Sequence, residues 1–549
     1  MPICPITGLS FEHHELEKRH YERFGLPVPN IHPIARRIQK LAFVNAWDLY
    51  WATDARTGKK ILSWYDPAEH PVIYDRTYWM SNDFDARDCG RSFDFSRSFF
   101  DQYFEMVATI PKPNLVSVAS ENVDYCNNII NSKNSYLSFN VFACDNMIYS
   151  ARVFESRDSI NLYNSRKCEL CYACNQCTDC HSISWSEFCV NCTSSQFLSN
   201  CFDCLYCYQC VNLRHKSYCI QNKQYTKEEY ERRMHEIDLG SWDAFRKEES
   251  AWKAFLESQP LQAQHNVNCE DSIGILLKNC KSCYQCFALT NAEHCFAGWG
   301  NHQIENSDSS GEDAEYNTST QGIVSSQRTA HCLMMERSFD ILYSQFIFQS
   351  NNCFGCYGLK KASYCIMNTQ YAPAEYDALK EKIIAHMKED GEWGQYFPVR
   401  YAPFPYERTL ARAITSTEFD DNPEMMKMFE FRFDERTDSN IRPDGHQASE
   451  LPDHCDDADE ILTKLTFLCH ESGRPYNITK QELAFYKKHR VPLPRISWRT
   501  AIEHHYPTFY PSPHATRCAE CGCSMYSYLR PDKTTRRKLC DTCFMALTG

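Results

Sequence analysis

Near one end of the chain, Cys518-x-x-Cys521 and Cys540-x-x-Cys543 are separated by 18 residues. Two CxxC pairs at that separation bring four thiolates around one tetrahedral ion, and an all-sulfur set suits zinc. We expect one structural zinc held by Cys518, Cys521, Cys540 and Cys543, with Cys523 a bystander. A denser set is Cys168, Cys171, Cys174, Cys177 and Cys180, followed by Cys189, Cys192 and Cys201. Overlapping CxxC pairs would serve a second metal or an iron–sulfur cluster. They would equally serve as small hydrophobes in a narrow core. The second reading is favoured, because sites in the same register carry Ser, Val, Ile and Leu, which cannot ligate zinc. A third candidate is basic: Arg536, Arg537 and Lys538 lie beside the four-cysteine motif, and residues 515 to 549 hold six Lys or Arg against three acids. Such a patch is a candidate contact for nucleic acid or the ribosome. There is no Gly-rich phosphate loop and no Ser nucleophile elbow, and the pairs His13-His14 and His504-His505 have no partners at motif spacing. We expect no enzyme.

The elements that position these residues are read from an unusual period. Every third residue from Ser117 to Leu213 is Ser, Cys, Val, Ile, Leu or Met, and none of these sites is charged, aromatic, Gly or Pro. A period of three belongs neither to a helix face nor to a strand. It needs a chain that bends constantly, as in a tightly wound solenoid of very short strands. Cys168, Cys189 and Cys210 are 21 apart, as are Cys171 and Cys192, so we expect coils of 21 residues with like side chains stacked. Asn131, Asn134, Asn140 and Asn146 each precede an inward site, and Asn tolerates the left-handed backbone of a corner. A second array keeps the triplet from Leu277 to Cys295, is interrupted near 299 to 318, and resumes in a shifted frame from Thr320 to Cys365.

Residues 1–80 and 465–549 read as two copies of one module: Cys4, Gly8, Phe11 and Tyr21 match Cys469, Gly473, Tyr476 and Tyr486. In the N-terminal copy, Asp54, Thr57, Asp75 or Arg76, and Tyr78 stand where the four zinc cysteines would be. That copy is therefore a degenerate zinc-ribbon-like module, expected to hold its shape without metal. Between the two copies lie a capping segment (81–116) and the first Cys/Ser-rich solenoid (117–222). A helix and linker (223–267), the second Cys-rich solenoid (268–368), and a helix with an acidic linker (369–464) follow. The helical spacing of Phe99, Phe100, Tyr103 and Phe104 predicts a helix that covers the open end of the first solenoid. Thr226 with Glu229 predicts a helix to about Ile237. The fold class is mainly β with short helices.

The segments Cys469-x3-Gly473-Arg474-Pro475-Tyr476, Glu482-Leu483-x-Phe485-Tyr486, Gly90-Arg91-Ser92-Phe93 and Tyr218-Cys219-Ile220-x-Asn222 resemble those of a family of cysteine-rich zinc-ribbon repeat proteins widespread in candidate-phyla bacteria. The resemblance spans nearly the whole chain and implies architecture, not activity. Members often keep CxxC pairs in the N-terminal module; here Cys4-Pro5-Ile6-Thr7 and His32-Pro33-Ile34-Ala35 occupy those places.

The 549 residues carry 32 cysteines and a net charge of −13. The charge argues against a protein that coats nucleic acid as a whole. There is no apolar leader and no segment long enough for a membrane, so reduced thiols in a cytoplasm are expected. The expected function is a non-catalytic, zinc-containing scaffold that presents solenoid surfaces to a protein partner, with no membrane. The alternatives are a nucleic-acid or ribosome binder acting through the ribbon, and a thiol redox or metal-buffering protein.

Overall fold

The computed structural model describes residues 1–308, 310–434, 445–509 and 511–548. The core of the expected acidic linker, 435–444, lies outside the described residues. The chain forms two compact units. One comprises Met1–Leu115, Gln262–Asp434 and Pro511–Pro531; the other comprises Val116–Leu261, Glu435–Tyr510 and Asp532–Gly549. Helices and short strands alternate through both, and most strands are parallel.

In the second of these units, strands from Ser117–Val118 to Lys223–Gln224 form one 14-stranded sheet, most of them four residues long. Apart from the antiparallel last pair, the strands pair in parallel with a constant step: Glu121 with Lys133, Ile129 with Val141, Met147 with Ser159, Leu198 with Cys210. The step is twelve residues, four triplets, and it corrects the expected 21. A triplet pattern alone does not say how many triplets separate stacked residues, and in a run so rich in cysteine many spacings align like with like. The signal for twelve was present in the side chains. Asn146 donates to Asp158 at 2.7 Å, Asn191 to Asp203 at 2.9 Å and Asn200 to Asn212 at 3.0 Å, all across twelve residues.

The corners have a single cause. Every third residue from Ala119 to Gln221 has a positive φ, for example 51° at Asn131, 57° at Arg152 and 50° at Trp185. Two extended residues followed by one left-handed residue turn the chain at each triplet. The left-handed conformation costs an L-residue roughly 1–2 kcal/mol, and here it is imposed on Arg, Trp, Tyr and Glu as well as Asn. The surrounding bonds therefore over-determine it.

Those bonds explain the inward residues. Each inward backbone N–H needs a buried acceptor, since an orphaned one costs about 1–3 kcal/mol. At many of these sites the acceptor is the inward side chain twelve residues earlier, most often a Ser. Cys144 N–H donates to Ser132 Oγ at 3.0 Å, Leu162 N–H to Ser150 Oγ at 3.2 Å, and Ser156 N–H to the sulfur of Cys144 at 3.3 Å. The same side chains donate to carbonyls: Ser138 Oγ to Tyr136 at 3.0 Å and Met147 at 3.3 Å, Cys126 Sγ to Asp124 at 3.3 Å and Ser135 at 3.5 Å. Ser and Cys are small enough for the core and can both donate and accept.

Helices cover the flank of this sheet. Lys480–His489 opens with a capping box between Thr479 and Glu482, and Trp498 stacks on Phe139 and Tyr149 at 5.9 and 6.2 Å. Lys227–His235 forms as expected. Trp242–Ser258, read as linker, is a helix whose Phe245 lies 5.0 Å from Trp185. Its apolar residues Phe245, Trp252, Phe255 and Leu256 have helical spacing, overlooked among many charges.

The first unit carries a 12-stranded sheet from Ile273–Ile275 to Thr369–Gln370 with the same parallel step, as in Thr329 with Ile341 and Cys353 with Cys365. The expected interruption near 299–318 is itself strand, Trp299–Glu305 and Ser310–Thr318. There His302 pairs with Glu312 and Ile304 with Ala314. That step is ten residues, so one shortened turn produces the frame shift. The helix Phe99–Thr109 forms where expected but covers something else. Phe99 stacks on Phe354 at 5.3 Å and Tyr103 donates to the carbonyl of Cys356 at 3.3 Å, so it covers the flank of the second sheet. The correction follows from its aromatic face, which needs a broad apolar wall.

Candidate metal centre and the cysteine ladders

One turn occurs four times. In each, the first residue donates its N–H to the carbonyl five residues on, and a glycine four residues on donates back to the first carbonyl. The pairs of distances are 2.9 and 2.9 Å for Cys4, 2.9 and 2.9 Å for Asp54, 2.9 and 2.9 Å for Cys469, and 3.0 and 3.0 Å for Cys518. The glycines Gly8, Gly58, Gly473 and Gly522 have φ of +68°, +72°, +67° and +71°, the left-handed region that no β-carbon makes costly for them. Each turn is followed by a helix: Pro33–Leu41 after His32, Arg76–Trp79 after Asp75, Trp498–His504 after Ser497, and Asp541–Thr548 after Cys540.

Four side-chain places per turn and helix would face one ion: the first and fourth residues of the turn, and the helix-leading residue with the one three beyond it. In the first copy they are Cys4, Thr7, His32 and Ala35. Burial opposes ionisation of Cys4, but hydrogen bonds from Thr7 and from the backbone N–H groups of His32 and Thr7 lower it below the usual thiol range. In the second copy Asp54 accepts from the hydroxyl of Thr57 and, at 3.3 Å, from the N–H of Asp75. In the third, the hydroxyl of Thr500 lies 3.3 Å from Cys469 Sγ, 2.9 Å from Ser472 Oγ and 3.0 Å from Ser497 Oγ. Burial opposes ionisation of Cys469, and these hydroxyls with the Ser497 N–H outweigh it, bringing the thiol down to about 7. Hydrogen bonds close these three sites.

In the fourth copy the ligand atoms of Cys518, Cys521, Cys540 and Cys543 lie within 4.8 Å of one another. Cys518 and Cys540 are buried, Cys521 is exposed and Cys543 half-buried. The N–H of Cys543 points at the sulfur of Cys540 at 3.5 Å. Four converging sulfurs, one already accepting a backbone N–H, fit a divalent ion that prefers thiolate, and these residues are positioned to bind one.

The ladder cysteines also meet one another. Cys168 interacts with Cys171 and Cys180, Cys180 with Cys192, and Cys192 with Cys204. Among the described residues, the groups of ligand atoms gathered within 4.8 Å are the four-cysteine cluster, His454 with Cys455 and Asp456, and Glu293 with His294 and Glu305. Cys168, Cys171, Cys174, Cys177, Cys180, Cys189, Cys192 and Cys201 belong to none of them. Their thiols bond carbonyls instead: Cys174 Sγ donates to Tyr172 at 3.3 Å and Ile183 at 3.5 Å, Cys201 Sγ to Cys210 at 3.4 Å. Burial pushes Cys126 up to about 12 and Cys144 to about 11, and lifts Cys174, Cys189 and Cys201 well above the usual thiol range.

The two smaller groups escaped the sequence reading. His454 lay in the assigned linker, and its Nε2 pairs with Asp238 at 3.1 Å, which Arg490 also holds at 3.0 Å. Glu293 and Glu305 come together through the ladder pairing. Of the basic residues, Arg536 is buried and donates to the carbonyls of Gln259 and Pro260 at 3.1 and 2.9 Å. Arg537 is exposed and Lys538 half-buried.

No family model matches the sequence, and the search of curated proteins finds no match. Among solved structures, the chain is similar to one assigned as an acetyltransferase of Desulfovibrio desulfuricans G20, at 10% identity over 48% of this chain and 70% of that one. The TM-score of 0.12 gives that likeness no weight for fold or function.

Proposed function

We propose that the protein is a non-catalytic scaffold. In this reading two tightly wound solenoids, four triplets to a turn, present their outer flanks to a protein partner, and one structural zinc holds a C-terminal zinc ribbon. The motif resemblance to the cysteine-rich zinc-ribbon repeat family supports that architecture, as do the twelve-residue step and the fourfold turn. The observation that carries the reading is the double hydrogen bonding of the inward hydroxyls and thiols. It engages the ladder cysteines in cohesion and fills the interior, so that variation along the repeats falls on the outer surface.

A nucleic-acid or ribosome contact through Arg536, Arg537 and Lys538 has less support, because Arg536 is held by two backbone carbonyls. No described helix is long and apolar enough to cross a membrane. Among the described residues the ladder cysteines from Cys126 to Cys219 form no disulfide, in keeping with the reducing, cytoplasmic setting of this reading.

The experiment opposes the scaffold to the thiol-redox and metal-buffering alternative. Native protein is alkylated in increasing glutathione disulfide and each cysteine is located by peptide mass spectrometry. For a scaffold, the exposed Cys523 reacts first, Cys521 and Cys543 react once the zinc is stripped, and the buried ladder thiols from Cys168 to Cys204 react only on unfolding. Reversible oxidation of Cys168 to Cys204 in the folded protein would reject the scaffold in favour of redox chemistry.

A further inference from the structure

Lys112 sits between Pro111 and Pro113 in a two-residue strand paired with Ile73–Tyr74, and is only 4% exposed. Its Nζ donates to the carbonyl of Val107, in the last turn of the helix Phe99–Thr109, and lies 4.4 Å from the ring centre of Tyr357. Among the described residues no carboxylate lies within ion-pair distance of it. A buried ammonium without a counter-ion is unfavourable, and burial brings this amine down to about 7.

Lys112 and Val107 line a cavity of about 450 Å3, formed wholly within the first unit. That volume suits a small molecule. Phe43, Tyr65, Phe104 and Phe346 give it apolar walls, and the exposed Arg400 and Arg432 stand at its edge. Arg432 is occupied by Glu69 at 3.1 Å and Arg400 by Glu430 at 2.9 Å, so the edge favours no particular charge. On the same wall, Gln345 is 4% exposed and its Nε2 has no hydrogen-bond partner. An unpartnered buried amide donor requires an acceptor that the chain does not supply.

We propose that this cavity binds a small apolar aldehyde or ketone, which the amine of Lys112 captures as an imine. The uncharged Nζ attacks the carbonyl carbon, the C=O π pair moves to oxygen, and two proton transfers release that oxygen as water, leaving C=N. Nothing is oxidised or reduced, and the carbonyl compound is the only co-reactant. An exposed lysine is almost entirely protonated at pH 7 and reacts slowly, whereas an apolar pocket supplies the free amine. The inference is independent of the scaffold reading, which concerns the solenoids and the zinc.

The test treats the full-length protein with benzaldehyde and sodium cyanoborohydride at pH 7, which reduces any imine to a stable benzyl amine, and maps the adducts by peptide mass spectrometry. Lys112 is expected to label faster than exposed lysines such as Lys60 and Lys133 by on the order of 10-fold or more. Octanal should compete for the site. In Lys112→Arg the bond to Val107 can persist while the nucleophile is gone, so a folded variant with no fast-labelling site is expected. Uniform labelling of exposed lysines with Lys112 unmodified, in wild type judged folded by its thermal midpoint, would overturn the proposal. So would unchanged fast labelling in Lys112→Arg.

Discussion

The backbone N–H of Cys168 donates to the Oγ of Ser156, twelve residues earlier, at 3.0 Å. The relation recurs between Ser165 and Cys177, Ser186 and Leu198, Ser195 and Cys207, and in the other unit between Ser344 and Cys356. It states why an array with one inward side chain per triplet fills itself with Ser and Cys. Ser156→Ala removes the acceptor and leaves the Cys168 amide buried without a partner, at a cost of about 1–3 kcal/mol. Ser156→Cys keeps a donor and acceptor and is expected to cost less. Urea unfolding of both variants checks the order; equal stabilities would deny the side chain this role.

Substitutions among the inward sites should follow the same rule. Cys171→Ser leaves a group able to reach the carbonyls of Glu169 and Cys180 that the thiol now bonds at 3.3 and 3.7 Å, and is expected to cost about 1 kcal/mol. Leu198→Asp buries a carboxylate without a partner and should exceed 4 kcal/mol or prevent folding. If the thiol were a metal ligand, Cys171→Ser would instead be the damaging change, and chelator would destabilise the wild type even after the C-terminal module is deleted.

Stability should fall in alkali. Burial raises the thiols of Cys126 to about 12, Cys144 to about 11 and Cys332 to about 12. In the unfolded chain these thiols ionise near 8.5. Above that pH the unfolded state binds fewer protons than the folded state, so stability present below pH 8.5 is lost as pH rises towards 11–12. Thermal midpoints between pH 8 and 11 should drop, less steeply in a Cys126→Ser, Cys144→Ser double variant. Identical slopes in the two proteins would place the effect elsewhere.

The third copy of the recurring turn predicts a gain of function. Ser472, Ser497 and Thr500 occupy with Cys469 the places that Cys521, Cys540 and Cys543 occupy with Cys518. Changing all three to cysteine should create a second site, raising bound zinc by about one per chain in elemental analysis. A folded variant with unchanged metal content would show that the shared turn does not suffice to place four ligands.

Much of this was legible in the residues. The triplet, the Asn corners, the four converging cysteines and the places of Asp54, Thr57 and Tyr78 were read from spacing alone, because each follows from a local rule of backbone or ligand geometry, whereas spacing left the third place open between Asp75 and Arg76. The twelve-residue step was not, because stacking is a relation between distant residues and a cysteine-rich run offers several spacings that look alike. The wall covered by Phe99 and Tyr103 was hidden for a similar reason: an aromatic helical face says that it must be buried, not against what. The burial of Arg536 depends on the carbonyls of Gln259 and Pro260, far away in sequence. Lys112 gave no signal, since its environment is assembled from segments spanning Phe43 to Arg432.

Arg536 gives a further contrast. Arg536→Ala leaves the carbonyls of Gln259 and Pro260 without their charged donor and is expected to lower stability by about 2–3 kcal/mol. The basic-patch reading expects an unaltered unfolding midpoint and a weaker, less salt-dependent affinity for RNA. Parallel unfolding and RNA-binding titrations separate the two.

The account rests on a division of labour among the cysteines: four hold a metal, and the ladder thiols hold the backbone through hydrogen bonds to its carbonyls. Its most direct test is elemental analysis of metal per chain in protein purified without added metal, for the wild type and for Cys540→Ser. The account predicts one zinc in the wild type and none in the variant, with no iron chromophore in either. Several metals per chain, or metal retained in full by Cys540→Ser, would contradict it.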